Sequence, residues 1–111
     1  MSSAELHVEN GAARLGGDLT FSTVTGLFQR MAAIAKEHGL PASIDLSGVG
    51  RIDSAGLALL LEWQSDYRQQ VGNDALMAVQ DPPDALMKIA RLCDAEDYLT
   101  GGGDTREREG S

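Results

Sequence analysis

The sequence is short of basic residues, of cysteine and of long apolar runs, and each shortage closes off a class of function. Lysine and arginine number 9 against 17 aspartates and glutamates, a formal net charge of −8 at pH 7. Nucleic acid and anionic membrane surfaces both require a basic footprint, so neither is an expected partner. A basic or neutral protein surface suits the charge better. The single cysteine, Cys93, permits no internal disulfide, in keeping with a reducing compartment. Its expected role is to fill core space as a small hydrophobe. No apolar run approaches the ~20 residues of a membrane span, so no direct membrane insertion is expected. The opening residues, Met1-Ser2-Ser3-Ala4-Glu5, lack the basic and apolar regions of a signal peptide, and the expected location is the cytoplasm.

What is present fits one small soluble domain. The chain has 111 residues, room for one core, and an ordinary hydrophobic fraction of 42%. Residues 5–9 (ELHVE) alternate and predict a strand, and Asn10-Gly11 predicts a hairpin turn into a second strand over 12–15. Thr20 or Ser22 can cap a helix whose inner stripe is Val24, Leu27, Phe28, Met31, Ile34 and Ala35. Gly39 and Pro41 end it.

The centre of the chain is the run from Ser43 to Leu61. It predicts a buried strand over 43–46, a turn containing Gly48 and Gly50, and then a helix. Asp53 and Ser54 stand in front of that helix, where their oxygens can accept from its free N–H groups. Ser54 is the expected cap, at the positive end of a helix dipole. Gly56 leaves room for something to approach the backbone. At ~100° per residue, Leu57, Leu60, Leu61, Gln64, Tyr67 and Val71 form the expected core face. Leu59 falls on the opposite, wet face with Ala55, Glu62 and Asp66, and Trp63 lies at the border. Leu59 is therefore either an isolated exposed leucine or part of an interface.

Beyond Gly72-Asn73-Asp74, residues 75–79 (ALMAV) predict a buried strand. Asp81-Pro82-Pro83-Asp84 opens a further helix with the inner stripe Leu86, Ile89, Ala90 and Cys93. Residues 94–99 dock as a short final segment, a candidate fifth strand. Residues 100–111 read as a disordered tail. The fold class is α/β, a small mixed sheet with helices mainly on one face: an antiparallel hairpin followed by parallel crossovers.

Enzymatic and cofactor chemistry finds little support. Ser54 on a strand–turn–helix resembles a nucleophile elbow, but Ile52 occupies the first glycine position. Gly48-Val49-Gly50 begins a dinucleotide fingerprint that Asp53 breaks. Neither His7 nor His38 has a second ligand at metal spacing. Catalytic, cofactor and metal residues are therefore not assigned. A switch or docking site around Ser54 is left, since a phosphoryl group there would meet N–H groups and a helix dipole.

The residues Ile44-Asp45-Leu46-Ser47, Val49 and Asp53-Ser54-Ala55-Gly56-Leu57 resemble the motif of the STAS domain, the fold of the bacterial anti-sigma-factor antagonists. Gly17-Asp18-Leu19-Thr20-Phe21-Ser22-Thr23-Val24 and Gly56-Leu57-Ala58-Leu59-Leu60-Leu61-Glu62-Trp63 resemble segments of its MlaB branch. Asp18 replaces the usual glutamate. The resemblance spans roughly residues 4–99 and implies a four- or five-stranded mixed sheet. It carries the antagonists' phosphoacceptor position onto Ser54. It also implies a non-enzymatic cytoplasmic subunit of an Mla-type phospholipid ABC transporter, peripheral to the inner membrane. The implied partner is the ATPase subunit MlaF and, through it, a permease. Asp53, Ser54, Ala55, Gly56 and Leu59 are the interface residues expected on that basis. The alternative is an antagonist whose partner is an anti-sigma kinase that phosphorylates Ser54.

Overall fold

The computed structural model describes residues 3–101. Four strands form one sheet in the order β1 (Ala4–Glu9), β2 (Ala12–Leu19), β3 (Ser43–Ile52), β4 (Ala78–Gln80). Strands β1 and β2 pair antiparallel, and β2–β3 and β3–β4 pair parallel. The helices are α1 (Val24–His38), α2 (Ser54–Val71), α3 (Asp84–Leu92) and α4 (Glu96–Thr100). The hairpin turn is built by Asn10 and Gly11, both at positive φ (53° and 79°), as a two-residue connection between right-twisted strands demands.

Alternation decides which face of the sheet is covered. Leu6, Ala13, Leu15, Ile44 and Leu46 are buried beneath the helices. Their neighbours Glu5, His7, Arg14 and Ser47 face the other way and are exposed. On that open face the Ser47 N–H donates to Asp45 Oδ1 (2.8 Å), which with the Arg14 charge holds the Asp45 carboxyl below its ordinary range. The edge strand β1 has its Leu6 carbonyl occupied by Arg30 Nη2 from α1 at 3.1 Å.

Several strand limits differ from the sequence reading, for reasons of backbone pairing. Strand β2 runs four residues beyond Leu15, and β3 runs through Gly48 and Gly50 without a turn. Here glycine permits close approach instead of breaking the strand. Gly16 pairs with Gly48, where an added Cβ would meet the Leu15 carbonyl oxygen at 3.1 Å and the Gly16 Cα at 3.3 Å. Gly17, at φ 84°, lies at a register shift and is packed against the Ser3 carbonyl. Strand β4 is shorter than the apolar run 75–79. The backbone of Met77 bonds to the side chain of Gln64, so ladder pairing begins only at Ala78.

The last third also departs from the reading. Pro83 is the N-cap of α3, and the helix ends at Leu92. Cys93 is therefore past the inner stripe and exposed, so it fills no core. The segment after it is a helix, α4, and not a fifth strand. It buries Ala95 and Leu99 against the rest of the core. Of the stretch read as a tail, Thr100 ends α4, and residues 102–111 lie outside the described residues.

Helix α2 is buried on more sides than one stripe allows. Leu57, Leu60 and Gln64 face the sheet as the periodicity predicts. Leu59 (6% exposed) and Trp63 are buried as well, because α1 lies along that flank, while Val71 is exposed at the helix end. Leu59 is thus a core residue rather than an isolated leucine on a wet face.

Candidate functional site

Three chain segments meet at the N-terminus of α2. Strand β2 ends at Leu19, α1 begins at Val24, and α2 begins at Ser54. Asp53 is the residue that ties them together. Its Oδ1 accepts from the N–H groups of Ala55 (2.9 Å) and Gly56 (3.3 Å), so Asp53, not Ser54, is the N-cap. Its Oδ2 accepts from the Phe21 N–H at 3.1 Å, in the turn leading to α1. Its own N–H donates to the Leu19 carbonyl at 3.3 Å. The cap residue needs extended backbone, and Asp53 has it (φ −131°, ψ −172°), whereas Ser54 is already the first helical residue.

The turn before α1 follows a comparable logic. Neither Thr20 nor Ser22 caps that helix. The Thr23 hydroxyl accepts from the Thr20 N–H (3.0 Å) and donates to the Asp18 carbonyl (2.8 Å), while the Thr20 carbonyl accepts from the N–H groups of Thr23 and Val24. The turn is held tightly at both ends. The side chain it presents between them, Phe21, is 82% exposed.

Beside that junction lies an open apolar groove of about 420 Å³ between α1 and α2. Phe21, Val24 and Phe28 form the wall on the α1 side. Ala55, Ala58 and Leu59 line the α2 side, with Glu62 at the rim. Phe28, read from periodicity as an inner residue, is 43% exposed because it stands over this groove. An exposed aromatic beside buried apolar surface marks a binding surface more strongly than a scattered leucine would.

The five residues expected at the site do not all reach the surface. Ser54 is exposed, and no hydrogen bond of the described residues involves its hydroxyl. Ala55 is half-buried in the groove wall. Leu59 forms the groove floor. Gly56 is buried, and what approaches its backbone is the chain itself, the Leu19 carbonyl and side chain. Asp53 acts by positioning the others. The helix N-terminus is also less open to an anion than its dipole suggests, because the Asp53 carboxylate already holds its first N–H groups. A phosphoryl group on Ser54 would meet that carboxylate.

Phe21, Val24 and Phe28 were missed as site residues from sequence. The available signal was an aromatic in a turn, outside any apolar stripe. It became meaningful only when α1 and α2 were placed side by side.

Asp53→Asn separates the two jobs of Asp53. The asparagine carbonyl can still cap α2, but its amide nitrogen cannot accept from the Phe21 N–H. A loss of about 1 kcal/mol in urea unfolding is expected, together with faster hydrogen exchange at the Phe21 amide and unchanged exchange at Ala55. Equal protection of both amides in the variant would contradict this division.

No curated protein sequence matches the chain. Among solved structures, the chain resembles the crystal structure of an anti-sigma factor antagonist from Mycobacterium paratuberculosis, with a TM-score of 0.62 over 89% of this chain and 83% of that one. At 19% identity that likeness establishes a shared fold, the STAS fold. The family model described as "Mlab, STAS domain" matches residues 2–101. With the four-stranded mixed sheet, the helix-covered face and the Asp53-Ser54 junction in place, the chain belongs to the MlaB family of STAS domains.

Proposed function

We propose that this protein is a non-enzymatic regulatory and assembly subunit that binds the ATPase of an Mla-type ABC phospholipid transporter, and through it a permease. The observation that carries the reading is the surface at the start of α2. There an exposed Ser54 and an exposed Phe21 flank an apolar groove, on a chain of the MlaB family. Such a subunit sits at the cytoplasmic side of the inner membrane through its partner. Among the described residues no helix is long and apolar enough to cross a membrane. It acts by binding the assembled, competent ATPase state more tightly than the alternatives.

Ser54 is the residue that tests this placement. Glutamate there adds bulk and a charge next to Asp53 at the mouth of the groove, and it is expected to lower copurified ATPase at least tenfold. Ser54→Ala should leave the yield within about twofold. Full yield with Ser54→Glu would remove the α2 N-terminus from the interface. Absence of any ABC ATPase from the wild-type preparation would defeat the functional reading itself.

The exposed Ser54 hydroxyl supports a second reading, an anti-sigma-factor antagonist switched by phosphorylation of Ser54. Added negative charge beside Asp53 would repel it and loosen the Phe21 turn, releasing the partner. Intact-mass measurement after incubation with the cognate kinase and ATP decides it, and an unchanged mass rules against it.

A further inference from the structure

We infer that the groove between α1 and α2 receives an amphipathic helix carrying at least one lysine or arginine, contributed by the ATPase subunit, and that Phe21 is its principal anchor. This rests on the ATPase reading above and specifies what the ATPase must present.

The occupant's backbone follows from the walls. Both sides of the groove are helical side-chain surface. Val24 and Phe28 are one turn apart on α1, and Ala55, Ala58 and Glu62 are successive turns on α2. At the helix starts the N–H groups of Ala55 and Gly56 are held by Asp53 and those of Val24 and Leu27 by the Thr20 and Thr23 carbonyls, so the walls offer no ladder of free backbone groups along their length. An extended strand laid there would bury N–H and C=O groups with nothing to bond them, at a heavy cost. A helix satisfies its own backbone and offers side chains at i, i+3, i+4 and i+7 to match these turns.

The occupant's charge follows from the rim. Glu62 is the only ionisable residue among those lining the groove. Asp66, one turn further along α2, lines the adjoining cleft together with Lys36, so that cleft adds no net charge and Glu62 sets the sign at the groove. The chain as a whole carries a net charge of −8. A helix with a lysine or arginine on the edge of its apolar face complements this rim, and an acidic one is repelled.

Phe21 is the anchor because it combines exposure with fixed position. Its ring is 82% exposed while its backbone N–H is held by Asp53 and its turn by Thr23. Little backbone ordering entropy is lost when the side chain is buried, which favours Phe21 as an interface hot spot.

The test is titration calorimetry of the purified ATPase subunit with the full chain at 50 and 300 mM salt. Hydrogen–deuterium exchange on the ATPase locates the contact. Phe21→Ala is expected to weaken binding about 30-fold or more, Glu62→Lys about tenfold and Glu62→Gln by less. Wild-type affinity should fall with salt and that of Glu62→Lys should not. New protection should map to a helix of the ATPase that bears lysine or arginine. Circular dichroism should show both variants folded, since both side chains are exposed. With wild-type binding intact, affinity within threefold for Phe21→Ala overturns the anchor. Insensitivity of Glu62→Lys, or protection on a strand or loop, overturns the basic helix. No wild-type binding at all would instead overturn the ATPase reading.

Discussion

Replacing Gln64 with leucine is expected to destabilise the fold by about 4 kcal/mol, the largest effect of any polar substitution in this chain. Gln64 is wholly buried in the middle of α2. Its Nε2 donates to the Met77 carbonyl (2.7 Å) and the Leu99 carbonyl (2.8 Å), and its Oε1 accepts from the Met77 N–H (2.9 Å). One orientation of the amide alone satisfies two acceptors and one donor. One side chain therefore joins α2, the approach to β4 and α4. Leucine matches the size but leaves three buried backbone groups without partners, each costing about 1–3 kcal/mol. Its extra apolar surface returns roughly 1 kcal/mol. A fall in melting temperature of about 15 °C follows for a domain of this size. Thermal and urea unfolding by circular dichroism measure it, and a change below 1 kcal/mol would show that the network carries no stability.

Gln64→Glu turns the same network into a pH response. A carboxylate can still accept from the Met77 N–H but faces two carbonyl oxygens with no proton to give. Burial and those oxygens favour the protonated acid, so the folded-state pKa lies above the unfolded value. With that sign, stability is fully present below the ordinary glutamate pKa and is lost as pH rises through the raised folded one. Near pH 4 the neutral acid's single O–H can serve only one of the two carbonyls, so a deficit of about 1–3 kcal/mol remains there and should grow clearly by pH 7.5. A deficit independent of pH would refute the geometry.

Gly56→Ala is the second large expectation, a loss of about 2 kcal/mol or more. In most helices this change stabilises by up to ~1 kcal/mol. Here the new Cβ would overlap the Leu19 carbonyl oxygen and approach Ile52 Cγ1 at 2.8 Å and Leu19 Cγ at 3.0 Å. The carbonyl is fixed backbone at the end of β2 and already accepts from the Asp53 N–H, so it cannot turn aside. Overpacking against such a group costs about 3 kcal/mol, which outweighs the propensity gain. Relief requires α2 to lift from β2, which pulls the Asp53 carboxylate away from Phe21. Lower stability should therefore appear together with weaker binding to the ATPase proposed as partner. Gly26→Ala is the control, since nothing lies within 4 Å of its added Cβ. It should stabilise the fold by up to ~1 kcal/mol. A neutral Gly56→Ala would mean that α2 and β2 are not in register as described.

The contrast between these two glycines shows where sequence reasoning stopped. Both sit in helices, and nothing local separates them. Gly16, Gly48 and Gly50 pose the same difficulty in strands. As isolated residues they read as breakers, yet Gly48 lets β2 and β3 come together, since a Cβ there would meet the Leu15 carbonyl oxygen at 3.1 Å. Leu59 and Phe28 exchanged their expected environments for a related reason. A single-stripe helical wheel assumes one buried face, and α2 is covered on its flank by α1. Cys93 left the core because α3 ends one residue before it, and the final segment became a helix.

Determined by the sequence alone were the α/β class, the hairpin at Asn10-Gly11, the order of the strands and long helices, and the position of the junction at Asp53-Ser54. These rest on turn chemistry, capping residues and hydrophobic period, which act over a few neighbouring residues. Tertiary structure alone decided that the cap residue Asp53 also holds the Phe21 turn, that Gln64 is a three-way clamp, and that Phe21, Phe28 and Glu62 share a groove with Ala55 and Leu59. Each of these depends on contacts between segments more than ten residues apart. A side chain's partner at that distance is set by how the helices lie on the sheet, and local pattern carries no record of it.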